Sequence, residues 1–216
     1  MYALDPQAAK AAESTGSRIA EKGKFKGKFT RAQHVVSEKG TFGIDFDFVA
    51  EGGQKARFAI YTQREDGTQV YGFKQLSAIM ACLALRNLAD PKDTPAKVYD
   101  FDQQREIDVV VPQFIELLGK PIGLLFTMEE YRPGKWRPNL AGAFQASTEL
   151  VASEILDRKT QPLQLEKMVQ ALRDKPLRSG GGSIEEANRA AATAGASAID
   201  DDIPFAQAHG RKAHYF

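Results

Sequence analysis

Gly23-Lys24-Phe25-Lys26-Gly27-Lys28-Phe29-Thr30-Arg31, followed by Ile44-Asp45-Phe46-Asp47-Phe48, decides the fold class. Both stretches alternate with a period of two, the spacing at which successive side chains leave a strand on opposite faces. In the first, Phe25, Gly27, Phe29 and Arg31 fall on one face and Lys24, Lys26, Lys28 and Thr30 on the other. In the second, Ile44, Phe46 and Phe48 form an apolar face, with Asp45 and Asp47 as its polar teeth. Working outward, Gly52-Gly53 supplies a turn, and Lys55 to Gln63 reads as a third strand carrying Phe58 and Ile60. Asp66-Gly67 is a two-residue hairpin signal, and Gln69 to Phe73 reads as the strand returning from it.

Leu76, Ile79, Met80, Leu83 and Leu88 then recur at helical spacing, predicting a helix over Lys74 to Leu88 that Asp90-Pro91 ends. Val98-Tyr99 and Ile107 to Val111 read as short strands, and Phe114 to Leu118 as a helical turn. Pro121 to Tyr131 and Trp136 to Phe144 form a late hairpin around Pro133-Gly134. Helical turns follow over Thr148 to Leu156 and Leu163 to Leu172, before Ser179-Gly180-Gly181-Gly182-Ser183 reads as a flexible linker. The predicted class is mainly β: an OB-like β-barrel with an inserted helix and a disordered C-terminal tail, with an α+β sheet as the alternative. The expected divisions are an N-terminal arm over 1–17, the barrel over 18–150, a helical extension over 151–178 and a tail over 179–216.

The 216 residues carry 29 Lys and Arg against 28 Asp and Glu, a net charge of +1, so bulk charge alone selects no polyanion. Distribution matters more. Between Arg18 and Lys39 there are seven basic residues against Glu21 and Glu38 alone, whereas Asp200, Asp201 and Asp202 stand together near the far end. A hydrophobic content of 43% suffices for a core, and no apolar run approaches the ~20 residues of a membrane span. The opening residues lack a signal-peptide pattern, so a cytoplasmic protein is expected. The lone Cys82 excludes a disulfide framework and a cysteine-based zinc site, and no cofactor is expected.

The Gly23–Thr30 stretch fails as a phosphate loop, because three residues rather than four separate its glycines and Phe29 follows Lys28. It reads better as a nucleic-acid strand. Lys24, Lys26, Lys28 and Arg31 supply charge for a phosphate backbone, while Phe25 and Phe29 face the core. A second candidate surface joins Arg57 and Tyr61 to Tyr71 and Lys74 across the Asp66-Gly67 hairpin, as a Tyr–Arg stacking platform. The third is Arg132, Lys135, Trp136 and Arg137 around the Pro133-Gly134 turn, where a barrel's hairpin loop would meet a strand. Each surface also has a plainer reading, as an amphipathic sheet face or a core tryptophan. Asp45, Asp47 and Glu51 are the only basis for a metal-dependent nuclease, which ranks last because polar teeth on an amphipathic strand explain them. His34, His209 and His214 are scattered, and no nucleophile–base pair stands out, so an enzyme is not expected.

Asp200-Asp201-Asp202-Ile203-Pro204-Phe205 is the most specific signal. Its carboxylates steer toward a basic patch while Ile-Pro-Phe fills an apolar pocket. This hexapeptide resembles the acidic tip of bacterial single-stranded-DNA-binding proteins, although here Ala206 to Phe216 follow it. The body, in its basic strand, its Gly40-Thr41 and Ile44–Phe48 segment, its hairpin and its Ala78-Ile79-Met80 helix, is similar to phage-encoded single-strand binders of the OB type. That resemblance implies sequence-independent binding of single-stranded DNA in phage replication or recombination, within the infected bacterial cytoplasm. It further implies that residues 200–205 dock replication or recombination proteins, and it leaves homo-oligomerisation open. A recombination mediator or annealing accessory with weak DNA binding is the alternative function.

Overall fold

The structure, a computed structural model, describes residues 18–100 and 105–177, with the side chains of 99, 100, 105 and 106 excepted. The expected N-terminal arm, the Gly-Ser linker and the acidic segment Asp200–Phe205 lie outside the described residues. In chain order the elements are β1 (Gly23–Val36), β2 (Phe42–Ala50), β3 (Lys55–Gln63), α1 (Tyr71–Cys82), β4 (Lys92–Asp100) and β5 (Arg105–Gln113). A 3-10 turn at Ile115–Leu117 leads to β6 (Pro121–Arg132), β7 (Lys135–Phe144), α2 (Ala152–Leu156) and α3 (Leu165–Ala171).

The architecture is mainly β and OB-like. β1 is its axis: one edge pairs with β2, which pairs with β3, and all these pairings are antiparallel. The other edge is divided. Gly23 to Lys28 pair with Phe126 to Pro121 of β6, whereas Gln33 pairs with Gln113 of β5. β7 pairs with β6 and comes back against β3, so the path β3-β2-β1-β6-β7 curls on itself, with α1 joining β3 to the later strands. The β4–β5 hairpin is an addition to this path, longer than the two short strands expected. Pro95, exposed on its outer strand, suits an edge, where its missing N–H removes no ladder bond.

A bulge in β1 sets the faces. Phe29 lies opposite Phe48, but Arg31 rather than Thr30 lies opposite Asp47, and the register shifts by one residue between them. An extra residue inverts the alternation from that point on. Up to Phe29 the odd positions face inward; beyond it Ala32, opposite Phe46, takes the inward place. Arg31 therefore leaves the face of Phe25, Gly27 and Phe29 on which simple alternation put it, and joins the face of Asp45 and Asp47.

Inside, Phe29, Phe46, Phe48, Phe58 and Phe126 are all buried, with Phe29 and Phe46 ring centroids 4.6 Å apart and Phe58 and Phe126 5.4 Å apart. Such tilted and edge-on pairs add ~0.5–1.5 kcal/mol each beyond their buried area. The Asp66-Gly67 turn forms, with the Thr68 N–H donating to the Asp66 carboxylate at 2.8 Å. The expected return strand does not continue: after a single bridge, Gln63 to Gln69, the chain enters α1 at Tyr71. Gly72 explains the swerve, since a Cβ there would lie 2.0 Å from the Tyr61 carbonyl oxygen. Tyr71 and Phe73 thus belong to a helix rather than to one face of a strand. α1 also ends earlier than expected, at Cys82, where Ala84 takes a left-handed φ of 54° and the N–H groups of Ala84 and Leu85 donate to Ala81 and Met80.

The chain after β7 forms a second, smaller core in which Val151, Leu165 and Leu172 pack with Leu125 and Phe144. Its fastening is Glu154, 1% exposed, whose carboxylate accepts N–H bonds from Val151 at 3.1 Å, Leu163 at 2.7 Å and Gln164 at 2.9 Å. Burial alone would raise its pKa, but those three donors outweigh it and hold the group below its ordinary 4.5. A carboxyl whose folded pKa is depressed contributes stability that is complete above its unfolded value and lost as pH falls through the folded one. Glu154→Gln is therefore expected to lower the melting temperature at about pH 7 by a few degrees, the scale of one hydrogen-bonded charge in a domain of this size. As pH falls below the ordinary 4.5 and the wild-type carboxyl takes up its proton, the two melts should draw together. A constant gap across that range would contradict the assignment.

Candidate nucleic-acid interface

The inverted register places Arg31 at the centre of a charged network on the outer face of β1, β2 and β3. Its side chain is only 2% exposed. Nε donates to Asp47 Oδ2 at 2.6 Å, Nη2 to Asp45 Oδ2 at 2.9 Å and Nη1 to Gln33 Oε1 at 2.7 Å. Burial works against the charge, yet Asp47 and Asp45 outweigh it and raise the guanidinium pKa above its ordinary value. Arg57, from β3, donates to the same Asp45 oxygen at 2.7 Å and lies 3.9 Å from Asp47. Two arginines and two aspartates thus neutralise one another. Arg31 is a framework residue and is withdrawn from the candidate surface; Arg57 is exposed but committed. The same pairing leaves Asp45 and Asp47 poorly suited to a nuclease metal, because cations already occupy their oxygens.

The lysines of β1 divide. Lys24 and Lys26 both reach the carboxylate of Glu149, in the β7–α2 connection, and Lys24 also reaches that of Glu166, on α3. Lys28 is exposed and forms no ion pair among the described residues. Phe25 is half-buried and Phe29 fully buried, as the expected inward face requires.

The end of the β6–β7 hairpin has the most open chemistry. Tyr131 is 43% exposed and Trp136 40%, flanked by exposed Arg132 and Lys135. Arg137 donates to Glu129 at 2.8 Å, and its guanidinium stands 5.7 Å from the Tyr131 ring centroid, a cation–π distance. Glu130 fixes the turn by accepting N–H bonds from Leu177 at 2.9 Å and Gly134 at 2.7 Å, which hold its pKa below the ordinary value. Gly134 has a φ of 69°, the left-handed conformation that a residue without Cβ adopts cheaply. Trp136 also lines a recess of about 460 Å³ with Lys22, Met128 and Asp174. The sequence does not mark Met128 or Asp174 here: Met128 lies back along β6 from the turn, and Asp174 lies far beyond the hairpin in the chain. Residues 174–177 come to the hairpin by running beside β6, the Lys175 N–H donating to the Met128 carbonyl at 2.8 Å.

Tyr61, Tyr71 and Lys74 are all exposed around the β3–α1 corner. Tyr61 covers Gly43, where a Cβ would meet its ring at 2.8 Å, and lines a recess of about 730 Å³ with Lys39 and Arg64. The fold therefore distributes the sequence candidates over separate regions rather than one platform: the β1–β3 face, the rim of the extension, the β3–α1 corner and the β6–β7 hairpin end. A larger apolar cavity of about 950 Å³, between the inner end of the sheet and α1, is lined by Phe42, Phe73, Leu76, Met80 and Phe114. No local motif announced it, since its walls come from elements far apart in sequence.

Among the described residues no three or more His, Cys, Asp or Glu side chains gather as metal ligands, and no helix is long and apolar enough to cross a membrane. The chain matches no protein-family model, and no curated protein matches it.

Because removing one partner strands a buried charge, Arg31→Ala is expected to cost about 3–5 kcal/mol in urea unfolding. Arg31→Lys should recover only part of this, as an ammonium cannot reproduce the two-sided fork. A loss below about 1 kcal/mol for the alanine variant would mean that the network is a surface ornament.

Proposed function

We propose that this chain binds single-stranded DNA independently of sequence, in phage replication or recombination, working in the cytoplasm of the infected cell. One observation carries the reading: the β6–β7 hairpin end exposes Tyr131 and Trp136 beside Arg132 and Lys135 on an OB-like body. Single-strand binders need aromatic faces, which accept any base, and cations that follow the phosphates. The hairpin supplies both on a turn stiffened by Glu130. Lys28, Lys74 and the Tyr61–Tyr71 corner lie in separate regions and would meet other parts of a longer strand. In this reading the segment Asp200–Phe205 recruits replication or recombination proteins, its aspartates steering toward a basic patch and Ile203-Pro204-Phe205 entering an apolar pocket.

Trp136 is the sole tryptophan, so its fluorescence reports the hairpin alone. Titrating oligo-dT into the protein is expected to quench that fluorescence to saturation. Trp136→Ala should weaken binding by the ~1–3 kcal/mol that one stacked base is worth. Saturable binding with no change in Trp136 emission would move the interface away from the hairpin.

A further inference from the structure

Lys24 and Lys26 leave the same side of β1 and converge on one carboxylate. Glu149 Oε1 lies 2.8 Å from Lys26 Nζ, and Glu149 Oε2 lies 3.3 Å from Lys24 Nζ. Lys24 has a second acid, Glu166, also at 3.3 Å. A bidentate oxyanion held between two ammonium groups is the arrangement that the two free oxygens of a phosphodiester would adopt. The backbone shows that the carboxylate is placed there at some cost. Glu149 has a φ of 62°, the left-handed region that residues with a Cβ ordinarily avoid. Asparagine or glycine would hold that turn more comfortably, yet neither would carry a carboxylate to the lysines.

The pairs are also weak enough to exchange. The Lys24, Lys26 and Glu149 side chains are 37%, 35% and 30% exposed, and Glu166 67%. Ion pairs so open to water are worth ~0–1 kcal/mol. Beside them lies a recess of about 310 Å³ lined by both lysines, Phe25, Glu51 and Gln54. The extension itself does not have to move, because Val151, Leu165 and Leu172 anchor it beneath these side chains.

We propose that Lys24 and Lys26 form a masked phosphodiester site in which the Glu149 carboxylate, assisted by Glu166, occupies the place of a backbone phosphate. This rests on the single-strand-binding reading above and adds its regulation. The acids lower affinity for short or weakly held strands, and a strand already bound elsewhere on the protein displaces them.

The test uses the full chain, with Glu149→Asn and Glu149→Asn/Glu166→Gln, in oligo-dT titrations by anisotropy at several salt concentrations. With strands too short to displace the acids in the wild type, each freed lysine should steepen the slope of log affinity against log salt by about 0.7. The single variant, which frees Lys26, should steepen it by about 0.7, and the double variant, which also frees Lys24, by about 1.4. Affinity at low salt should rise roughly tenfold in the double variant, and Lys26→Ala added to it should reverse part of the gain. Glu149→Gln, which keeps the side chain's length, gives the same reading should the asparagine variant melt early. Binding by a variant but not by the wild type would also support the mask. If the wild type binds and the variants share its affinity and slope, the mask is overturned while the binding reading stands. If neither binds, both fall.

Discussion

The Arg31 guanidinium is the point on which the rest of the structure turns. β1 serves three neighbours, and one strand can do so only by changing direction part-way along. The bulge at Thr30 makes that change between the half that pairs with β6 and the end that meets β5. An inserted residue disturbs the ladder, so something must favour the bulged register over the regular one. In the bulged register Arg31 meets Asp47 and Asp45, and Ala32 takes the inward place opposite Phe46. In a regular register the guanidinium would enter the phenylalanine core, at a desolvation cost of several kcal/mol. The buried charge acts as a register lock: it adds little net stability as a pair and makes the alternative expensive.

That lock has a consequence for function. It consumes Arg31 and engages Arg57, while the extension engages Lys24 and Lys26. A surface that looks strongly basic as a string of letters is close to neutral once folded. Of the candidate cations among the described residues, Lys28, Lys74, Arg132 and Lys135 remain available, together with rings that face water. The proposed binding would therefore depend on stacking for its grip, and its sensitivity to salt on how many paired lysines the ligand recruits. The masked site and the hairpin are therefore two halves of one proposal about affinity.

Much of the fold was legible from alternation, because a two-residue period over Phe25–Phe29 and Ile44–Phe48 leaves few other ways to bury phenylalanine. The misreadings share a cause: local signals were overridden by contacts from distant parts of the chain. No Gly or Pro marks Thr30 as a bulge. Tyr71-Gly72-Phe73 alternates like a strand, yet Gly72 fits against the Tyr61 backbone and starts a helix. Ala84 ends α1 in a conformation usually given to Gly or Asn, so the sequence shows no stop signal before Asp90-Pro91. The partners of Lys24 lie 125 and 142 residues away, and no spacing rule finds them. The exposed hairpin residues were the most legible part of the candidate site, since Pro133-Gly134 fixes a tight turn and a tight turn keeps its neighbours near water.

In the proposed reading, this body grips single strands through stacked rings and a modest number of phosphates. A titration of labelled oligo-dT of increasing length against a duplex control, at low and moderate salt, tests it most directly. Saturable binding to the single strand is expected, strengthening with length up to the site size and weakening with salt, with the duplex held far more loosely. Equal affinity for duplex and single strand, or none for either, would contradict it.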